Sequence, residues 1–209
     1  KISAILAMIV GFIVIPLYVV TRPQIFSTLI LLVEVFLLEK FFREKKIWAL
    51  TVLPVLSVIL VNLHAAMWPM MIIVLLPFLA ESLILEFKRI SAPVLPLILT
   101  ALGIFLAGFL NPYGWEAMIF IFTSYDPSIH KNIAEMRAPS ADNGLGVIFF
   151  VFSVLLIVAY SRKNLPWRYF FLTFGLMVLG SQAYRAMLLF LILGAFPMAF
   201  ALKERRLFD

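Results

Sequence analysis

Long uncharged apolar runs, separated by short polar segments, dominate this chain. A bilayer-crossing helix needs about 20 residues at a rise of about 1.5 Å each, and most of the runs approach that length. The uncharged stretch 47–80 is too long for one crossing, so we divide it at residues 62–69. The pattern therefore predicts eight spans, over residues 2–20, 25–42, two within 47–80, 93–110, 144–160, 169–180 and 186–202.

The predicted fold class is all-α: a polytopic integral membrane protein with about eight transmembrane helices, in a single domain over residues 1–209. The seventh span is the shortest, and a segment of that length can also be re-entrant, so seven or nine spans are the alternatives. One larger exterior loop, residues 111–143, separates spans five and six. Its residues 115–122 are predicted to form a short helix on the membrane surface, and a simple connector is the alternative.

Composition supports the membrane class. Hydrophobic residues make up 64% of the chain and charged residues 13%, against about 45 to 50% and about 25% in soluble domains. The formal charge of +6 is spread over short loops beside apolar spans, where orientation and anionic lipid headgroups account for it. We therefore expect membrane lipids and no nucleic acid as partners. The chain has no cysteine, which excludes disulfides and thiolate metal sites.

The basic residues divide between the two ends of the spans. Thirteen of the seventeen lie at alternate turns, which the positive-inside rule assigns to the cytoplasm. The other turns hold only Arg22, Lys131, Arg137 and Arg185. This split predicts a multi-pass protein of the plasma (inner) membrane with both ends in the cytoplasm and its active face on the exterior.

The predicted exterior turns carry most of the polar motifs. In order along the chain they are Arg22-Pro23-Gln24, Asn62-Leu63-His64, Asn111-Pro112-Tyr113-Gly114, Glu135-Met136-Arg137-Ala138-Pro139 and an Arg185 that begins the last helix. As an ordered set they resemble the distal half of bacterial multi-span enzymes of the GT-C glycosyltransferase superfamily. The sequence departs from that pattern at Ala65-Ala66, where the family tends to have glycines.

This resemblance implies a membrane enzyme that takes a sugar from a polyprenyl-phosphate carrier and passes it to an acceptor on the exterior face. Such enzymes carry a catalytic acid in their first exterior loop, whereas residues 21–24 contain no carboxylate. We therefore expect the chain to supply the carrier and acceptor pocket, with an N-terminal portion of the same protein as the source of the catalytic group. The alternative is a non-enzymatic transport or assembly subunit for a lipid or small solute.

The predicted substrate-binding residues come from these motifs: Arg22, Gln24, Asn62, His64, Asn111, Tyr113, Glu135, Arg137 and Arg185. The three arginines could bind the carrier phosphate, because guanidinium forms bidentate hydrogen bonds with phosphate. Interfacial anchors or structural ion pairs are the alternative role for each arginine.

Structural roles are also open for three polar residues of the motifs. As a base or a metal ligand, His64 would need a partner carboxylate or a second ligand, and none lies at a recognised metal spacing. A hydrogen-bonded histidine that fixes the turn is therefore favoured over both roles. Asn62 could satisfy backbone groups freed at the helix break, and Asn111 could cap a helix end.

Two carboxylates lie within the predicted spans. Glu34 is ten residues beyond Gln24, hence about 15 Å along its helix, close to the bilayer midplane. An ionisable residue at that depth indicates function, or else it is protonated or paired. Together with Glu81 it could mark a proton path, which is the main observation in favour of transport.

Overall fold

The computed structural model describes residues 24–123, 136–142, 144–161 and 165–203. All regular structure in these ranges is helical, which confirms the all-α prediction. The predicted first span, residues 2–20, lies outside the described residues. The described helices group into two compact units: the first unit is residues 24–123, and the second unit is the described part from residue 136 onward.

The first unit is a bundle of antiparallel helices with a short helix at its end. Helix α1 packs against α2 and α3, and α4 packs against the same two helices. The predicted division of residues 47–80 is confirmed by a single 3₁₀ turn, Ala65–Met67, between α2 and α3. The helices of the first unit are α1 (Gln24–Glu44), α2 (Trp48–His64), α3 (Pro69–Phe87), α4 (Val94–Ala107) and α5 (Trp115–Thr123).

A buried hydrogen-bond chain fixes the break between α2 and α3. Pro69 begins α3, where its missing N–H is not needed. Trp68, which precedes it, is 1% exposed, and its Nε1 donates to Ser57 Oγ over 2.7 Å. Ser57 Oγ in turn donates to the carbonyl of Ile104 over 2.9 Å. The indole therefore joins the start of α3 to both α2 and α4.

Basic residues shape the turns at the opposite end of the first unit. Lys45, after α1, and Arg89, after α3, both adopt a φ of 57°, the left-handed conformation that ends many helices. Lys46 lies 2.9 Å from the Glu44 carboxylate. The hydrogen bond from Lys46 holds the pKa of the Glu44 carboxyl below its ordinary value. These turns are ordered parts of the bundle as well as carriers of the predicted cytoplasmic charge.

The second unit contains α6 (Gly144–Ser161), α7 (Trp167–Gln182) and α8 (Tyr184–Lys203). Helix α8 packs against both α6 and α7. Glycines permit this close packing: a Cβ at Gly194 of α8 would lie 3.1 Å from the Phe152 ring of α6, and one at Gly180 of α7 would lie 3.2 Å from the Met187 Cα of α8. The short seventh apolar segment, residues 169–180, lies within the continuous helix α7.

Helix length and surface composition favour a membrane protein. Among the described residues, two helical segments are long and apolar enough to cross a bilayer: Trp48–Met67 with 20 residues and Pro69–Phe87 with 19. The shorter apolar helices include Val94–Ala107. On this last helix, Leu95, Leu99 and Leu106 are more than half exposed. A continuous apolar surface of this kind marks contact with lipid or with another protein.

Candidate functional site

Three helix ends of the first unit meet in a group of polar side chains, which we call the helix-end cluster: Gln24, Ser27, Asn62, His64 and Asn111. Ser27 Oγ lies 2.8 Å from His64 Nδ1 and so joins the start of α1 to the end of α2. Asn62 Nδ2 donates to the carbonyls of Val58, over 2.8 Å, and Leu110, over 2.9 Å. The cluster therefore ties α2 to both α1 and the segment that follows α4.

Asn111 caps α4. Its Nδ2 donates to the Gly108 carbonyl over 2.8 Å, and its Oδ1 accepts the Tyr113 N–H over 2.9 Å. Gly114, with a φ of 49°, completes this turn in a conformation that favours glycine. The Tyr113 ring projects outward and is 73% exposed. Asn111 thus has the structural role considered from the sequence, and it presents an aromatic ring beside the cluster.

Helix α5 follows directly and confirms the predicted helix at 115–122. Its first residue, Trp115, stacks on Phe109 with ring centroids 5.8 Å apart and planes 7° from parallel. Trp115 and Phe120 nevertheless remain 64% and 67% exposed. Two large exposed rings on a short helix are typical of an interfacial segment, and its location at a membrane surface stays a prediction.

The polar atoms of α1 extend inward from its first residue. Gln24 Oε1 is buried and has no hydrogen-bond partner among the described residues. Ser27 lies one turn further along, on the same side of the helix, and is fully buried. The helix-end cluster therefore contains a buried acceptor beside the bond between Ser27 and His64.

In the second unit, a loop is held against the start of α8. The Tyr184 N–H donates to the Arg137 carbonyl over 2.9 Å, and the Ser140 N–H donates to Tyr184 Oη over 3.3 Å. Arg137 is exposed and Arg185 is half-buried. The two hydrogen bonds hold the loop that contains Arg137 against Tyr184, the residue before Arg185. We call Arg137, Tyr184 and Arg185 the arginine cluster.

The predicted site residues thus belong to separate groups. Within the first unit the structure brings together Asn62, His64, Asn111 and Tyr113, with Gln24 one turn from Ser27. Within the second unit it brings the Arg137 backbone to Tyr184, the residue before Arg185. Arg22 and Glu135 lie outside the described residues.

Sequence reasoning missed Ser27 as the partner of His64. Its signal was a small polar residue three positions after Gln24, on the same face of an otherwise apolar helix. It also missed Ser140, for which the local sequence gives no signal, because its role depends on Tyr184.

Among the described residues, no three histidine, aspartate or glutamate side chains lie close enough together to hold a metal ion. His64 has a hydroxyl partner instead, which agrees with a hydrogen-bonded histidine that fixes the turn. In comparisons with known proteins, the chain matches no family model, no curated protein and no solved structure.

Proposed function

We propose that this chain is the carrier-binding and acceptor-binding part of a GT-C-type membrane glycosyltransferase, which transfers a sugar from a polyprenyl-phosphate donor on the exterior face. The observation that carries the proposal is the hydrogen bond from the Tyr184 N–H to the Arg137 carbonyl, because it holds the backbone of Arg137 at the helix start that also carries Arg185. The resemblance of the ordered sequence motifs to the GT-C superfamily is the reason to propose sugar transfer.

The arginine cluster suits a lipid phosphate for three reasons. Guanidinium groups bind phosphate through two parallel hydrogen bonds. The start of α8, a helix of 20 residues, adds the partial positive charge of its dipole. The first turns of α8 continue into an apolar helix, so a phosphate held by Arg185 would leave its hydrocarbon chain beside apolar side chains.

The helix-end cluster suits the hydroxyl groups of a sugar or acceptor. Its amide, hydroxyl and imidazole groups donate and accept hydrogen bonds without a fixed charge. The exposed rings of Tyr113 and Trp115 stand beside it and offer apolar faces to a sugar ring. We assign the carrier phosphate to Arg137 and Arg185 and the hydroxyl-bearing partner to this cluster.

The test is binding of a polyprenyl phosphate to the purified wild-type, Arg185→Lys and Arg185→Ala proteins, with the matching uncharged polyprenol as the control ligand. Both variants should bind the phosphate more weakly and leave polyprenol binding unchanged, because lysine keeps the charge but loses the planar fork. Arg89→Ala is the control for loss of one positive charge elsewhere. Unchanged phosphate binding in both Arg185 variants, at unchanged thermal stability, would refute the proposal.

A further inference from the structure

Glu34 is enclosed in the interior of the first unit. It is fully buried, and neither carboxyl oxygen has a hydrogen-bond partner among the described residues. Leu31 and Leu38, one turn away on either side along α1, are fully buried as well. A charged carboxylate in such surroundings is strongly unfavourable unless it has a counter-ion or hydrogen-bond donors, so the neutral acid is the alternative.

Among the described residues, the helices packed against α1 supply no counter-ion at this level. His64 is the one titratable residue of α2, and Glu81 and Glu86 are those of α3. Besides Glu34, the charged residues of α1 all lie near its far end. They are the cations Lys40 and Arg43 and the carboxylates Glu39 and Glu44. Arg43 bonds Glu39 over 3.2 Å, and the Lys40 ammonium lies 5.1 Å from the centre of the Trp48 ring. The neutral carboxylic acid is therefore the form that this interior accommodates.

Helix register shows which groups share the depth of Glu34. Ser27 bonds His64 between antiparallel helices, so seven residues onward along α1 and seven back along α2 cover the same distance, about 10 Å. These steps lead to Glu34 and Ser57. The Ser57 hydroxyl donates its hydrogen to Ile104 and accepts one from Trp68. The Ser57 hydroxyl at this depth is thus satisfied without the carboxyl.

One face of α1 leads from this carboxyl back to the helix-end cluster. Gln24, Ser27 and Glu34 follow a spacing of three and seven residues, which keeps them on one side of the helix. Gln24 contributes its buried acceptor, and Ser27 contacts His64. Imidazole is the side chain that gains and loses a proton most readily near neutral pH.

We propose that Glu34 is a reversible proton-binding site of the first unit, which exchanges its proton with the helix-end cluster through His64. On release, the O–H bond of the carboxyl breaks, the carboxylate keeps the electron pair, and the proton passes through water to the imidazole. Uptake is the reverse. This inference does not depend on sugar transfer. Buried carboxyls of this kind serve proton relays in membrane transport, the alternative function named from the sequence.

The test is infrared spectroscopy of the purified protein at neutral pH, in water and after transfer to heavy water. We expect a carbonyl band of a neutral carboxylic acid that is lost in Glu34→Gln, kept in Glu81→Gln, and shifted by deuterium exchange. His64→Ala and Ser27→Ala should keep the band and slow its shift. A spectrum in which Glu34→Gln removes no such band would refute the neutral carboxyl, and an unchanged exchange rate in both cluster variants would refute the route.

A second measurement covers the case in which Glu34→Gln does not fold. A hydrophobic carbodiimide reacts with protonated carboxyls in apolar surroundings, and mass spectrometry locates the adduct in the wild-type protein. We expect modification at Glu34 that decreases as the pH is raised. Absence of the adduct at Glu34, while Glu81 is modified, would refute the proposal without any variant.

Discussion

The Trp68 indole fills the space beside Gly108: a Cβ added at that glycine would lie 2.6 Å from Trp68 Cε2. Trp68 is the residue that joins the start of α3 to α2 and α4, so the absence of a side chain at position 108 is a condition for the buried hydrogen-bond chain. This contact explains why a large ring can be fully buried between helices that are otherwise lined by leucine, methionine and phenylalanine.

Gly108→Ala should therefore destabilise the first unit. Overpacking a closed site costs about 1–3 kcal/mol, because the indole must move and its hydrogen bond to Ser57 is disturbed. The matched control is Gly175→Ala in α7, where nothing lies within 4 Å of the added Cβ; there alanine should be neutral or stabilising. Thermal unfolding in detergent measures both variants, and equal melting temperatures would contradict the close contact.

The bond between Trp68 and Ser57 should show energetic coupling. Ser57→Ala leaves a buried indole N–H without its acceptor, at a cost of about 1–3 kcal/mol. Trp68→Phe removes that N–H, so adding Ser57→Ala to it should cost less than Ser57→Ala costs alone. Urea unfolding of the four proteins of this double-mutant cycle gives the coupling free energy. Additive losses would show that the 2.7 Å contact makes no net contribution.

The conformation of Arg89 predicts a stabilising substitution. Its φ of 57° is unfavourable for residues with a Cβ by about 1–2 kcal/mol, whereas glycine adopts it without that penalty. Arg89→Gly should raise the melting temperature relative to Arg89→Ala, which removes the same charge but keeps a Cβ. If the two variants melt together, the left-handed conformation is not what determines stability at this turn.

The helices could largely be predicted from the sequence because their signals are local. The uncharged stretch 47–80 is longer than one span, and its helix is interrupted between His64 and Pro69. The predicted span 25–42 is α1, which extends two residues beyond it at its C-terminal end. Proline, charge and apolar length operate within one turn of helix, so a single sequence reveals them. The number of bilayer crossings does not follow from these local signals, because it depends on the bilayer as well as on helix length.

The side-chain partners could not be predicted, because they depend on packing between distant segments. Ser27 and His64 are 37 residues apart, and their bond requires the antiparallel register of α1 and α2. The bond between Tyr184 and Arg137 likewise joins a loop to a helix start. The sequence nevertheless placed His64, Asn62 and Asn111 at helix ends, since apolar runs end there.

The predicted orientation can be tested directly because the chain has no cysteine. Single cysteines replace Ser128 in the large loop and Lys45 or Lys163 in the basic turns. A membrane-impermeant thiol reagent added to intact cells should label position 128 and leave positions 45 and 163 unlabelled, because positive turns stay in the cytoplasm. Permeabilised cells are the control for reactivity. Labelling of position 45 in intact cells would reverse the orientation and remove the exterior arginine cluster.

We expect Tyr184 to be a positioning residue of the arginine cluster. Tyr184→Phe removes the hydroxyl that accepts the Ser140 N–H, a bond worth about 0.5–1.5 kcal/mol, and should loosen the loop that holds Arg137. Because Arg137 is then held less firmly, the affinity for polyprenyl phosphate should fall by about two- to tenfold, with little change in melting temperature. Tyr113→Phe is the matched control for loss of a tyrosine hydroxyl, because that ring is exposed, lies in the first unit and keeps its aromatic face in the variant.

The affinity of Tyr184→Phe for the uncharged polyprenol should stay that of the wild-type protein, since the loop is expected to act through the phosphate. Combining Tyr184→Phe with Arg137→Ala gives the decisive comparison. If the tyrosine acts by positioning Arg137, the hydroxyl should have no further effect once that arginine is absent. Additive losses of phosphate affinity in the double variant would show that Tyr184 does not act through Arg137. An unchanged phosphate affinity in Tyr184→Phe alone would show that the loop contact does not contribute to binding.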